Sequence, residues 1–360
     1  MSSETSKWLN QNVLIGMTDQ RGTAWHYRAT DQGDEPNHYP GAIPIDDVER
    51  RLFDWEAIVV PSYWGKPVRD DDGKVQYDSD GNPIVMAELD PDRVYVIASD
   101  TDERFSTFTD TYTPHQYRPW LLGNVGKLLD DDLVISSAGL LDRRGIAWVE
   151  VSMPETQETA GVRFRPNLLA TTSFNGKVAT TYARTITAVV CDNTHTAALN
   201  ESGAKFRVKH TKYSGMKVME AREALEIIWS TTDEMSDAIN RLTDATLTES
   251  QWEILLKTVI PDTGTQKGDT QAANRRDAVD RLWRYDSRVS PWKDSMFGAY
   301  QAWNTYGHHE RGTTGNTVRA ERNMLESING QTEKRDRQML DAIDLMVAGK
   351  LTKVPERTGK

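Results

Sequence analysis

Residues 171–217 read TTSFNGKVATTYARTITAVVCDNTHTAALNESGAKFRVKHTKYSGMK, and how this stretch is parsed decides the fold. Asn175-Gly176 stands between two runs rich in Thr, Val and aromatics. That dipeptide is the strongest short-range hairpin signal, because both central residues of a type I′ turn need positive φ. Upstream, Leu168, Ala170, Thr172 and Phe174 fall on one strand face. Downstream, Val178, Thr180, Tyr182, Ile186 and Val190 share a face by the same period of two. A strand from Lys177 to Cys191 would run roughly 50 Å at about 3.3 Å per residue, longer than strands usually are. A bulge or bend is therefore expected near Ala183-Arg184. After a turn at Asp192-Asn193, a further strand is expected from Lys205 to Thr211, with Phe206 and Val208 alternating with Lys205, Arg207 and Lys209.

Outward from this run, the N-terminal side reads as strands and short helices. Residues 1–64 carry Trp8, Trp25, Tyr39, Phe53, Trp55 and Trp64, too many aromatics for a solvated tail. A helix is expected over Asp46 to Phe53, then strands over Trp55 to Tyr63 and Arg93 to Ser99. Between them, RDDDGKVQYDSDGNP places two Asp-Gly turns around Val75-Gln76-Tyr77. Its aspartates invite a calcium reading, but the spacing fails. Counted from Gly73 or Gly81, the twelfth loop position is Ser79 or Ala87, not glutamate. Thr113-Pro114 looks like an N-cap and first helical position of a helix to about Leu129, with Pro119 allowing a later start at Arg118. Leu133 to Leu141 and Ile146 to Met153 read as a strand pair across Asp142-Arg143-Arg144-Gly145.

From Met216 the period becomes helical. Val218, Ala221, Leu225 and Ile228 mark one amphipathic face, and Thr248-Glu249-Ser250-Gln251 is a capping-box pattern before Trp252, Leu255, Leu256 and Val259. Further helices are expected over Gln271 to Tyr285, from Ser290-Pro291 onward with Met296, Tyr300 and Trp303 on one face, over Val318 to Ile328, and over Lys334 to Val347. The fold class is α+β: a mostly antiparallel, twisted sheet with a helical C-terminal third. The expected division is a β-rich core over residues 1–215 and a helical region over 216–360 packed on or beside it, with 262–270 the linker candidate.

The chain has 360 residues, 38% of them hydrophobic and 27% charged, enough for one large or two ordinary domains. No apolar run is long enough to span a bilayer, no signal peptide opens the sequence, and Cys191 is the single cysteine. A cytoplasmic protein without a disulfide framework is expected. The net charge of −11 is unevenly spread. Lys and Arg against Asp and Glu number 14 to 27 in residues 1–150 and 16 to 12 in residues 272–360. Such a polarity suits head-to-tail assembly or one face that meets an anion, and ordinary surface variation explains it equally.

Catalytic signatures are thin. Cys191 and His195 lack an orienting third group, and a small thiol after Val189-Val190 is an ordinary core residue. His308 and His309 are adjacent, so they do not face together, and a solvated helix end explains them better than a metal. No phosphate loop, GxGxxG, HExxH or CxxC is present. What stands out is the cationic run. Lys205, Arg207, Lys209, Lys212 and Lys217, with His210 and the ring of Tyr213, occur without a carboxylate between Ser202 and Met219. Cations beside a ring suit a single strand of nucleic acid. A lysine-guarded edge strand is the competing reading. Three neutralised phosphates would give a salt slope of only about −2, so the nucleic-acid reading needs oligomerisation or help from Arg275, Arg276, Arg281 and Arg284.

At these residues the chain resembles a known family, the phage/plasmid-like proteins of domain of unknown function 932. The resemblance rests on Phe53-Asp54-Trp55-Glu56, Ser173-Phe174-Asn175-Gly176, Val189-Val190-Cys191-Asp192-Asn193-Thr194 and Arg207-Val208-Lys209-His210-Thr211. The family often has arginine where Ala188 stands here, which leaves incomplete any site that arginine belongs to. The resemblance implies a phage, prophage or plasmid origin and no established reaction.

The leading expectation is a non-enzymatic binder of single-stranded DNA or RNA, of the annealing type, in phage DNA metabolism. It would use Lys205, Arg207, Lys209, His210, Lys212, Tyr213 and Lys217, need no cofactor or metal, touch no membrane and assemble as a homo-oligomer. The alternative is a protein that binds a host factor through the acidic residues 1–150. A hydrolase using Asp100, Asp102 and Glu103 around a metal is the third reading.

Overall fold

The computed structural model describes residues 3–24, 27–129, 133–153, 155–188, 193–196, 205–208, 232–233, 235–312 and 319–355. An α+β fold results. The main sheet has the order β1-β5-β6-β8-β9-β10, with β7 on β8 and β11 on β9, and all of its ladders are antiparallel. Its strands are β1 Val13–Ile15, β5 Val134–Leu141, β6 Ile146–Ser152, β7 Gln157–Thr159, β8 Val162–Ser173, β9 Thr180–Ala188, β10 Asn193–Thr196 and β11 Lys205–Val208. A second, three-stranded sheet joins β2 Ala57–Pro67, β3 Val85–Ala98 and β4 Arg104–Thr109.

Period-two patterning selects the faces of the main sheet. Ala147, Val149 and Val151 of β6 meet Leu168, Ala170 and Phe174 in one core, roofed by α2 (Ile45–Leu52) and the helical segment 117–125 (α3). Trp148 and Leu169 point the other way, against Leu9 and Val13 from the end of α1 (Ser3–Asn12) and β1. The third core belongs to the C-terminal helices: α4 Glu249–Val259, α5 Gln266–Tyr285, α6 Met296–Thr305, α7 Arg319–Asn329 and α8 Gln331–Val347. Val162 and Phe164 of β8 enter this core, so the helices and sheet share buried surface. The Trp292 indole N–H, which donates to Ala160 O at 3.1 Å, ties the same corner.

Several elements differ from their sequence reading. The hairpin strands stop at Ser173 and resume at Thr180, and only Gly176 (φ 74°) of the Asn-Gly pair is left-handed. Asn175 is held differently because its side chain donates to Asp142 (2.6 Å) and accepts from the Lys177 N–H (3.0 Å). β9 pairs with β8 in unbroken register, without a bulge at Ala183-Arg184. The interruption lies in its other neighbour. β10 covers Thr185–Ala188 and β11 covers Thr180–Ala183, both antiparallel to β9, so they form one edge strand with residues 197–204 intervening.

The helix expected from Thr113 starts at Tyr117, because His115 and Gln116 are committed elsewhere. His115 is buried, stacked on Trp120 at 3.8 Å and bonded to Thr180, while Gln116 bonds both backbone groups of Ala57. Ser290-Pro291 forms one tight turn, and the following helix starts at Met296, capped by Ser295. The stretch read as a linker is mostly helix: Thr265 caps α5, which begins at Gln266. The helix expected over residues 216–228 and the Cys191 thiol lie outside the described residues.

Candidate functional site

The edge strand carrying the cationic run is described only in part. Backbone register pairs Lys205 with Ala183 and Arg207 with Thr181, while Phe206 and Val208 pair with the buried Tyr182 and Thr180. Lys205 and Arg207 thus occupy positions on the face of Leu169 and Thr171, opposite the face of Tyr182. Lys209, His210, Lys212, Tyr213 and Lys217 lie outside the described residues. Helices α6 and α8 lie against β10, the first half of this edge strand.

Those helices build a cleft of about 450 Å³. Its floor is the end of α4 and the turn after it, Val259 to Thr263. Its walls are Gln271 and Arg275 from α5, Trp303 and Tyr306 at the end of α6, and Arg311, Arg335 and Gln338. Gln271 and Arg275 face it together because they lie one helical turn apart. The α5 N-terminus closes on Thr263 only because residue 268 is glycine: a Cβ there would stand 1.9 Å from Thr263 Oγ1. Gln338 fixes α8 to the floor by donating to Val259 O at 3.0 Å. The Trp303 indole N–H donates to Arg335 O at 3.1 Å.

The electrostatics turn on which guanidinium has a carboxylate. Arg276 is paired with Asp262 (2.7 Å), Arg281 with Glu310 (2.7 Å), and Arg284 with Glu249 (2.7 Å) and Asp280 (2.8 Å). Arg311 and Arg335 share Glu326, and Arg335 also lies 3.9 Å from the buried Asp336. Arg322, behind them, donates to the carbonyls of Gly307, Arg311 and Gly312. Burial, with Arg311 next, pulls the Arg322 guanidinium down to about 10. Arg275 is exposed and makes no hydrogen bond or ion pair among the described residues. Of the four arginines suggested by sequence, it alone remains available, at the mouth of a cleft with two further guanidiniums. Sequence reasoning did not single out Arg311, Arg335, Tyr306 or Gln338. Their shared acid, Glu326, is fifteen residues from Arg311 on another element, and no local pattern marks that pairing.

A second cluster gathers two of the quoted motif stretches. Trp55 packs against Phe105, Tyr117 and Phe174 with centroids 5.6, 5.6 and 5.7 Å away. The Arg144 guanidinium lies 3.8 Å over the Trp55 ring and donates to both Asp100 oxygens, at 3.0 and 3.1 Å. The turn presenting it is strained: Asp142, Arg143 and Arg144 are left-handed in succession (φ 48°, 51° and 70°), a costly state for residues with a Cβ. Bonds from Asn175 and Lys177 to Asp142, and from the Tyr117 hydroxyl to Arg144 O, hold it there. Burial pushes the Tyr112 and Tyr117 phenols up, away from any role as a base. The cluster is a latch between the two sheets.

The carboxylates of the hydrolase reading are similarly engaged, Asp100 with Arg144 and Glu103 with Arg143 at 3.7 Å. Among the described residues no group of three His, Cys, Asp or Glu could hold a metal. His308 is 4% exposed, buried where the sequence suggested a solvated turn. Also among the described residues, no helix is long and apolar enough to cross a membrane.

A family model described as "Domain of unknown function (DUF932)" matches residues 104–337. The match spans β4 to the first turns of α8 and includes the edge strand and every cleft residue named above except Gln338. No curated protein and no solved structure shows a significant match.

Proposed function

Because the chain belongs to the family of domain of unknown function 932, whose description assigns no reaction, we propose its role from its own residues: a non-enzymatic protein that binds single-stranded nucleic acid. The observation carrying this reading is Arg275, the unneutralised guanidinium at a cleft with Arg311, Arg335 and Tyr306. A phosphate is the ligand whose charge and geometry suit a guanidinium cluster, and an aromatic wall accepts a base of any sequence. The helices forming the cleft sit against the edge strand whose continuation holds Lys205 and Arg207, so one strand of phosphates can run from the cleft towards that edge.

Fluorescence anisotropy with a labelled oligo-dT, titrated with salt, tests this. Three phosphate contacts predict a slope of about −2, and Arg275→Gln should weaken binding and flatten the slope by about 0.7. The triple change Lys205→Gln, Arg207→Gln, Lys209→Gln should flatten it further. Affinity that neither variant alters removes this function.

A further inference from the structure

The cleft between α4, α5, α6 and α8 has a closed end and an open one. Val259, Ile260, Ala272 and Trp303 are buried members of the helical core and form its inner end. Gln271, Arg275 and Gln338 are exposed and form its mouth. Among the described residues, the charged ones on its lining are all arginines: Arg275, Arg311 and Arg335. Their exposure is graded. Arg275 is exposed, whereas the side chains of Arg311 and Arg335 are 34 and 12% exposed. The nearby carboxylates are off the lining and engaged. Asp262 is held by Arg276, Glu310 by Arg281, and Asp269 by the N–H groups of Thr263 and Gly264. Glu326, shared by Arg311 and Arg335, and the buried Asp336, 3.9 Å from Arg335, are left against three guanidiniums, so the lining keeps a positive excess.

We propose that this cleft takes a single nucleotide by its 5′-phosphate, with the phosphomonoester on Arg311 and Arg335 and the base against Tyr306. The inference rests on the nucleic-acid reading of the same cleft and narrows it to a chain end. A volume of about 450 Å³ lies at the small end of ligand pockets and holds one nucleotide, not a run of them. An internal phosphodiester carries a sugar on both sides. It can meet an exposed cation such as Arg275, but it cannot lead a chain into a pocket whose far end is closed. A phosphomonoester carries a sugar on one side only, offers three oxygens to convergent guanidiniums and bears about −1.5 to −2 charges at neutral pH. A 5′-phosphate also stands off the sugar on its own methylene, so it reaches the less exposed arginines, whereas a 3′-phosphate brings the ring with it. The rest of a strand then leaves past Arg275. A free nucleoside 5′-monophosphate presents the same chemistry as a phosphorylated strand end.

The test is isothermal titration calorimetry of the full chain with oligo-dT bearing a 5′-phosphate, a 3′-phosphate or hydroxyls at both ends, and with thymidine 5′-monophosphate. The 5′-phosphorylated strand should bind at least tenfold more tightly than the other two strands. Arg311→Gln should close that gap with circular dichroism unchanged, since Glu326 keeps Arg335 as its partner. Arg275→Gln should weaken all three strands alike. Thymidine monophosphate binding as tightly as the 5′-phosphorylated strand assigns the site to free nucleotides, and weaker binding assigns it to strand ends. Equal affinity of the three strands overturns this inference while strand binding itself stands. If no strand binds but the monophosphate does, the strand reading falls and the nucleotide site remains. Binding of none overturns both.

Discussion

At the scale of the residue, His38 shows how position sets chemistry. Its Nε2 accepts from the Ala24 N–H (3.0 Å), so Nδ1 carries the proton and donates to Asn37 Oδ1 (2.8 Å). Burial first, and Arg21 second, lower its pKa to about 4 from 6.5. As pH falls the unfolded chain takes up the proton first. The stabilisation is therefore complete above about 6.5 and is lost as pH falls through about 4. Denaturant midpoints of the native protein should fall across that window, and His38→Gln should remove this part of the fall. Arg144 makes a second case. Lysine keeps the charge but not the delocalised guanidinium lying 3.8 Å over the Trp55 ring, so Arg144→Lys should cost about 1–2 kcal/mol in urea unfolding. Neither role is legible locally, because Ala24 lies fourteen residues from His38 and Asp100 forty-four from Arg144.

At the scale of the element, local rules held where the partner is near in sequence. Thr248 and Gln251 form the full capping box, with the Gln251 N–H donating to Thr248 Oγ1 at 3.3 Å and the Thr248 N–H to Gln251 Oε1 at 2.9 Å. Thr248→Ala should cost about 1 kcal/mol and Thr248→Ser almost nothing, read by thermal unfolding. The β5–β6 pair sets Gly139 directly opposite Trp148, and a Cβ on Gly139 would stand 2.1 Å from the ring. Trp148 is fully buried and cannot swing away, so Gly139→Ala should destabilise by roughly 1–3 kcal/mol. Local rules failed where a distant group intervened. Asp142 captured the Asn175 side chain and displaced the type I′ turn, and Ala57 captured Gln116 and delayed a helix.

At the scale of the molecule, the helices and the main sheet are coupled through β8. Phe164 belongs to the helical core although it lies on a sheet strand. Phe164→Ala should therefore cost about 3–5 kcal/mol, and calorimetry should show sheet and helices losing stability together. The sequence alone determined the fold class and the strand pair across residues 142–145. It also determined that helices run from Glu249 onward, though not their starts at Gln266 and Met296, and the cap at Thr248, because those signals lie between residues at most a turn or a pleat apart. Only the tertiary structure decided which cation stays free. Arg276, Arg281 and Arg284 met carboxylates fourteen, twenty-nine and thirty-five residues away, and Arg275 met none among the described residues. Charge is written residue by residue, but its neutralisation depends on distances that exist only once the chain has packed.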